Sequence, residues 1–308
     1  MQILAGVGAP PVVLGGYFAG GSGVSSEFSS IDKLTFSDDT KSTLAATLST
    51  ARSTIGGFAN SGIAGYIAGG FDTANISGIE KLTFDGETRS TLTATLTTAR
   101  RGGSGMANSG TAGYVSAGFD TARLSAIDKL TFSGETRSTL VATLSSARTG
   151  VASMANSGTA GYVAGGDNGS TELSNIDKIT FSNDSKSTLA ATLTAATSDL
   201  GAMANSGTAG YYGGGSTNLG QTKISRIDKI LFSNDTKSTL VATLSNNTVL
   251  PAGLAQSGTA GYFGGGLAAA RINTIDKIVF SADTKSTLAA TLSNAVFNQA
   301  SFANSGVL

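Results

Sequence analysis

The feature that most constrains this chain is a repeat. The segment ANSGTAGY, complete at Ala155–Tyr162 and followed by Gly165 and Gly166, recurs in variant form along the sequence. The tyrosines that close it are Tyr17, Tyr66, Tyr114, Tyr162, Tyr211 and Tyr262, spaced 49, 48, 48, 49 and 51 residues apart. A unit of that size cannot bury its own apolar faces and must stack on its copies, so the period predicts a repeat architecture before any single residue is considered.

Each repeat reads as four short strands, a to d. Strand a is a small-residue segment such as 150–155 or 200–204, followed by the turn Asn-Ser-Gly, as at 108–110 and 205–207. Glycine supplies the positive φ such a turn needs, and asparagine tolerates unusual dihedrals or bonds the local backbone. Strand b is TAGYVAGG and strand c is IDKLTF, ending in Phe36, Phe84, Phe132, Phe181, Phe232 and Phe280. An acidic turn with a following base comes next, from Asp39 and Lys41 to Asp283 and Lys285. Strand d is STLAATL, as at 42–48 and 286–292, with a period-2 pattern. Helix is the competing reading of strand d, but seven residues make a marginal helix and threonine favours strand. Strand c does not alternate cleanly: Ile127, Lys129 and Thr131 share one face, Asp128, Leu130 and Phe132 the other. A blade packed between two neighbours half-buries both faces, which removes the need for a strict split.

Four-stranded units repeated six times predict an all-β chain folded as a six-bladed β-propeller. The offset of the ends supports closure. Strands b to d occur six times from residue 12 onward, whereas the sixth strand a lies at 299–306. The C-terminal strand is therefore expected to join the N-terminal blade and close the ring. Residues 1–11 form an arm outside the propeller, which spans 12–308 with repeats starting near 12, 61, 109, 157, 206 and 257.

Composition excludes several chemistries. The chain has no Cys and no His, hence no disulfide framework, thiolate zinc site, cysteine nucleophile or Ser-His-Asp triad. Twenty basic and twenty acidic residues balance, which gives no reason to expect nucleic acid as a partner. No run approaches the roughly 18 apolar residues of a membrane span, and residues 1–11 lack a basic n-region, so neither membrane insertion nor a signal peptide is expected. The triplets at 213–215 and 264–266 end strands rather than open helices and do not read as phosphate cradles. No metal or other cofactor and no catalytic residue is expected.

The repeat resembles the kelch repeat: a small apolar strand, a glycine turn, Tyr66 followed by Gly69 and Gly70, and Arg52, Arg100 and Arg148 before the next strand a. The resemblance covers the chain after residue 11 and implies the propeller. There are departures. The chain has no tryptophan where kelch blades usually carry one, and Leu48, Leu96, Leu144, Leu193, Leu244 and Leu292 lie nearby instead. The last three repeats lack the arginine, and the third carries Ala117-Gly118 in place of the glycine pair. The style of the repeat, with ID-K-x-x-F and T-x-x-TL, is similar to kelch-like propellers of tailed bacteriophages, notably those of cyanobacteria. That second resemblance implies a virion protein made in a host cytoplasm, a tail, fibre or capsid-associated appendage contacting other virion proteins or a host-surface receptor or glycan. The arm at 1–11 is then either a frayed terminus or a docking arm. A cellular kelch-type interaction module and a carbohydrate-binding or glycan-cleaving propeller are the alternatives.

Antiparallel blades place the a–b and c–d turns on one end of the ring and the b–c and d–a connections on the other. The first end is nearly uniform, with Gln256 replacing asparagine once. The second varies: b–c loops run from SGVSSEFS to STNLGQTKISR, and d–a loops from ARRGGSG to NNTVLPAG. Binding residues favour loops on a rigid scaffold. Candidate binding residues are therefore placed on the variable end: Asp72, Arg100, Arg101, Asp120, Arg123, Asp167, Glu172, Lys223, Arg226 and Arg271. The alternative is unconstrained drift of these loops. The four charges repeated in each of the six units read as blade-to-blade or turn pairing. A glycosidase would need acids outside that pattern, and eight exist: Glu27, Asp38, Asp72, Asp85, Asp120, Asp167, Glu172 and Asp199.

Overall fold

A computed structural model of the chain describes residues 14–304. Six four-stranded antiparallel sheets form a β-propeller. The first blade takes strand a from the C-terminal segment, Ala300–Ala303, and strands b to d from Gly15–Ala19, Ile31–Thr35 and Thr40–Thr43. Gly16 pairs with Ala303 and Ala19 with Ala300, so the ring closes by exchange of the chain ends. The second blade comprises Gly56–Asn60, Ala64–Ala68, Gly78–Thr83 and Arg89–Thr95, and the third Ser104–Asn108, Ala112–Ser116, Ile127–Thr131 and Thr136–Thr139. The fourth comprises Thr149–Asn156, Ala160–Asp167, Asn175–Thr180 and Ser185–Thr192. In the fifth, Gly201–Asn205, Ala209–Gly213, Ile227–Leu231 and Thr236–Thr239 carry an extra hairpin, Ser216–Thr217 with Thr222–Lys223, in the b–c loop. Ala252–Gln256, Ala260–Gly264, Ile275–Val279 and Thr284–Thr287 form the sixth. Among the described residues there is no helix. The arm at 1–11 lies outside the described residues.

Strand d is shorter than its sequence suggests. In four blades its ladder is carried by Thr-x-Ser-Thr, and the chain leaves the sheet before the leucines. Beyond it, Leu48 and its five equivalents turn inward and are buried in all six blades, filling the space between them. Only the second and fourth blades continue the ladder, each across a register irregularity.

The strands are small where the ring is tight. The six a strands pack around the axis, and a Cβ on Gly105 would lie 2.3 Å from the Gly57 carbonyl oxygen, one on Gly253 2.1 Å from that of Ala202. The glycine before each tyrosine receives a large side chain from strand a of the preceding blade. Phe302 covers Gly65, Phe58 covers Gly113, and Met106, Met154 and Met203 cover Gly161, Gly210 and Gly261. Each tyrosine then stacks on the phenylalanine ending strand c of the next blade, with centroids 5.1–5.4 Å apart from Tyr114–Phe181 to Tyr262–Phe36. Strand c is buried on the face that carries its acid and half-buried on the lysine face, as its mixed pattern implies.

The repeated charges join blades. The turn acid sits at positive φ, as at Asp184 (54°) and Asp235 (57°), and its carboxylate accepts from the tyrosine hydroxyl and the strand c lysine of the preceding blade. At one junction Tyr162 Oη and Lys178 Nζ donate to Asp235 at 2.8 and 2.7 Å, and at the closing one Tyr262 and Lys277 donate to Asp39 at 2.8 and 2.6 Å. Burial, with the neighbouring carboxylate, pushes each of these tyrosine hydroxyls well above its ordinary range. The strand c acid is buried and serves the adjacent junction. Asp177 accepts from the Ser145 amide and hydroxyl, from Thr188, and from the buried Arg148 guanidinium at 2.9 Å.

Candidate binding face

The uniform end repeats one contact from turn to turn. The Asn-Ser-Gly turns take the expected conformation, with Gly62, Gly110, Gly158, Gly207 and Gly258 at φ of 76–85°. Each turn also holds its neighbour. Ser61, Ser109, Ser157 and Ser206 donate their amides to the serine hydroxyl of the following turn at 2.9–3.1 Å. In return Gly110, Gly158, Gly207 and Gly258 donate to the asparagine oxygen of the preceding turn at 2.7–2.9 Å. Gln256 stands in the last of these turns, before the blade that is split between the two chain ends.

At the variable end, six residues at the starts of the a strands form a collar. Gly102 donates its amide to Thr54, Gly150 to Gly102, Asp199 to Gly150, Leu250 to Asp199, Asn298 to Leu250, and Thr54 to Asn298, at 2.6–3.3 Å. All six adopt positive φ, from 55° at Thr54 to 66° at Gly102. Below the collar the axial void is only about 90 Å³. The Asp199 carboxylate lies over Gly150, whose added Cβ would fall 2.5 Å from Oδ1. Burial, reinforced by the charges of Asp167 and Glu172, pushes its pKa up to about 7.

Outside the collar, the b–c loops bridge to their neighbours, and most candidate residues are engaged in doing so. Asn75 donates to Asp120 at 3.2 Å. Arg123 pairs with Asp167 of the next blade. Glu172 is buried and accepts from the Gly220 amide at 3.1 Å. Lys223 donates to the Ala268 carbonyl, and Arg271 lies over the Phe297 ring at 5.0 Å.

One candidate is corrected outright. Arg100 is not on the surface: it is buried and paired with Asp128, in the same way as Arg52 with Glu80 and Arg148 with Asp177. Arg226 compensates for a missing arginine. Thr197 occupies the equivalent position after the fourth blade, and Arg226 reaches Asp228 with Nε at 3.5 Å and Thr197 at 3.2 Å.

Six candidates form no ion pair among the described residues, Asp72 and Arg101 among them. Arg101 is wedged between Phe71 and Phe119, its guanidinium carbon 4.7 and 5.3 Å from the ring centroids. Asp72 lines a recess of about 450 Å³ together with Glu27 and Arg271. Glu27 stood among the extra-repeat acids of the sequence, but its meeting with Asp72 and Arg271 from two other blades is a product of ring closure that no local motif announces. Of the other extra-repeat acids, Asp38 accepts from the Thr40 amide and hydroxyl and Asp85 lies in the exposed c–d turn of the second blade. No protein-family model matches the chain, and no curated protein matches it.

Proposed function

We propose that this propeller is a non-enzymatic structural and binding protein that docks its partner through the variable end. The observation that carries the reading is the division between the ends. The a–b turn serines and asparagines and the repeated turn acids and strand c lysines at the uniform end are engaged in blade-to-blade bonds, whereas the variable end retains Asp72 and a polar recess. A rigid scaffold presenting loops of this kind is suited to recognition. Most acids outside the repeat pattern are held in structural contacts, which weighs against an acid–base pair poised for catalysis.

The style of the repeat extends the proposal to a component of a tailed-phage particle, built in the host cytoplasm and contacting another virion protein or the host surface. Mass spectrometry of purified particles with copy-number determination tests it. A stoichiometric copy number is the expected result. Absence from particles, with the protein free in cells, would sink the virion role.

A further inference from the structure

Three junctions between blades are built on a buried arginine, and one of them is incomplete. In each, Nη2 of the arginine reaches the strand c acid of the next blade: Arg52 to Glu80, Arg100 to Asp128 and Arg148 to Asp177. The other amine, Nη1, is treated differently each time. Arg148 Nη1 donates to Asn175 Oδ1 at 2.9 Å, and Asn175 Nδ2 donates in turn to Ser145 Oγ at 2.7 Å. Arg100 Nη1 donates to the Ala117 and Ala126 carbonyl oxygens at 3.1 and 3.4 Å. Arg52 makes only the bond to Glu80 among the described residues, so its Nη1 has no acceptor.

At the Arg52 junction the counterpart of Asn175 is Gly78. The surroundings otherwise match. Ser49, the counterpart of Ser145, donates its amide and hydroxyl to Glu80 at 3.0 and 2.8 Å, as Ser145 does to Asp177. In place of an asparagine side chain there is a cavity of about 260 Å³, lined by Ser49, Arg52, Asp72, Gly78 and Glu80 among others. Arg52 is 2% exposed, and its Nε is sealed from solvent but its Nη1 is not. A buried donor left unpaired is unfavourable, and a ligand that accepts from it removes the penalty. Glu80 already balances the guanidinium, and an anion would face Asp72 as well; a cation would face Arg52. The group required is neutral, with an acceptor for Arg52 Nη1 and a donor for a lone pair of Ser49 Oγ. A primary carboxamide carries both on one carbon, and Asn175 shows it spanning the equivalent two partners. The volume is below that of a drug-sized ligand and suits a single side chain.

We infer that the cavity between the first and second blades binds a primary carboxamide, presented as an asparagine or glutamine side chain by the docking partner. The carboxamide oxygen accepts from Arg52 Nη1 and its nitrogen donates to Ser49 Oγ. This names a contact that the variable end offers a partner and rests on the reading of that end as the docking face. Calorimetry and protein-observed NMR on the full chain test it, with the N-acetyl N-methylamides of asparagine and glutamine as probes. The same derivatives of aspartate and leucine are the controls: the first replaces the donor by a charged acceptor, the second keeps the shape without polar atoms.

At least one carboxamide probe is expected to bind saturably, at roughly millimolar affinity for a single small group, and to shift the amide resonances of Ser49 and Gly78. Both controls are expected to bind at least about tenfold more weakly, since each loses a hydrogen bond of the pair. Gly78→Asn supplies the carboxamide from within the chain and should abolish binding. Gly78 is not at positive φ, and a Cβ there meets nothing closer than Ile76 Cγ2 at 3.7 Å, so the fold accepts the substitution. Gly78→Ala adds only a methyl group and keeps binding, which separates occupation of the cavity from damage to it. No binding by either carboxamide, equal binding by either control, or the same affinity in the Asn and Ala variants overturns the inference. If the probes fail and the protein is still found in particles, the carboxamide site falls and the structural role stands. Carboxamide binding by a protein absent from particles reverses that outcome.

Discussion

The two ends of the ring face the same mechanical task, joining six blades, and meet it in opposite ways. The uniform end repeats one solution: serine amide to serine hydroxyl, glycine amide to asparagine oxygen, tyrosine and lysine to one turn carboxylate. The variable end changes the chemistry at each junction. Asn75 uses an amide, Arg123 an ion pair, Glu172 a backbone amide, Lys223 a carbonyl, and Arg271 an aromatic ring. Variation between repeats is therefore not in itself freedom to bind. Most of the variable residues perform one shared duty with different groups, and the candidates for recognition are the few left over.

The largest effects are expected where all blades use the same packing. Gly113→Ala would place a Cβ 2.1 Å from the buried Phe58 ring, and overpacking of this severity costs about 3 kcal/mol. The opposite substitution, Ala117→Gly in the same blade, relieves a non-glycine residue at φ 62° and should stabilise by about 0.5–1 kcal/mol. Chemical denaturation measures both. A Gly113→Ala loss below about 1 kcal/mol would show that the interface yields far more than close packing allows. Arg148→Ala comes next. It leaves Asp177 fully buried without its guanidinium, and breaking a buried pair costs about 3 kcal/mol. The retained bonds from Ser145, Thr188 and Lys186 set this at the low end of the range. Asp32 and Asp276 lack an arginine partner and rely on such bonds already, with Lys41 at 3.7 Å and Lys285 at 3.5 Å.

The collar makes a pH prediction with a definite sign. Asp199 titrates near 7 in the folded chain and near its ordinary value when unfolded. Between roughly pH 4 and 7 the folded state holds a proton that the unfolded state has lost, so stability falls as pH rises through that window. Asp199→Asn should remove this slope and raise stability at pH 8, read from denaturation midpoints at pH 5 and 8. Identical slopes in variant and wild type would mean that Asp199 is solvated rather than confined.

The blade count and ring closure were legible because the tyrosine spacing and the displaced sixth strand a are properties of sequence alone. The repeated charges were legible for the same reason. Arg100 was misplaced because it adjoins Arg101, which does lie on the rim. The signal lay in its alignment with Arg52 and Arg148, since a residue shared by three repeats serves the repeat. STLAATL alternates like a strand and forms one along its length in the second and fourth blades, but in the other four the ladder ends early, which the pattern does not distinguish. The collar is not legible in the sequence because it is made of backbone atoms. Gly102, Gly150, Asp199 and Asn298 are residue types that favour positive φ, but Thr54 and Leu250 hide the pattern, and only the ring brings the six positions together.

The sharpest comparison between the ends is a pair of single substitutions. Asn108→Ala at the uniform end removes the oxygen that accepts the Gly158 amide at 2.9 Å, and a hydrogen bond of this kind contributes about 1 kcal/mol. Arg123→Ala at the variable end removes a charged pair and a ring contact, which look stronger on paper. Both partners of that pair keep solvent contact, however, at 29% and 21% exposure, and exposed pairs contribute only about 0.5 kcal/mol. The uniform end should therefore lose more from a neutral amide than the variable end loses from an ion pair. High salt should leave the Asn108→Ala cost unchanged and erase what remains of the Arg123→Ala cost. If Arg123→Ala proved the more damaging at both ionic strengths, the varied loop contacts would be the principal fastening of the ring, and the variable end would have far less surface to give to a partner.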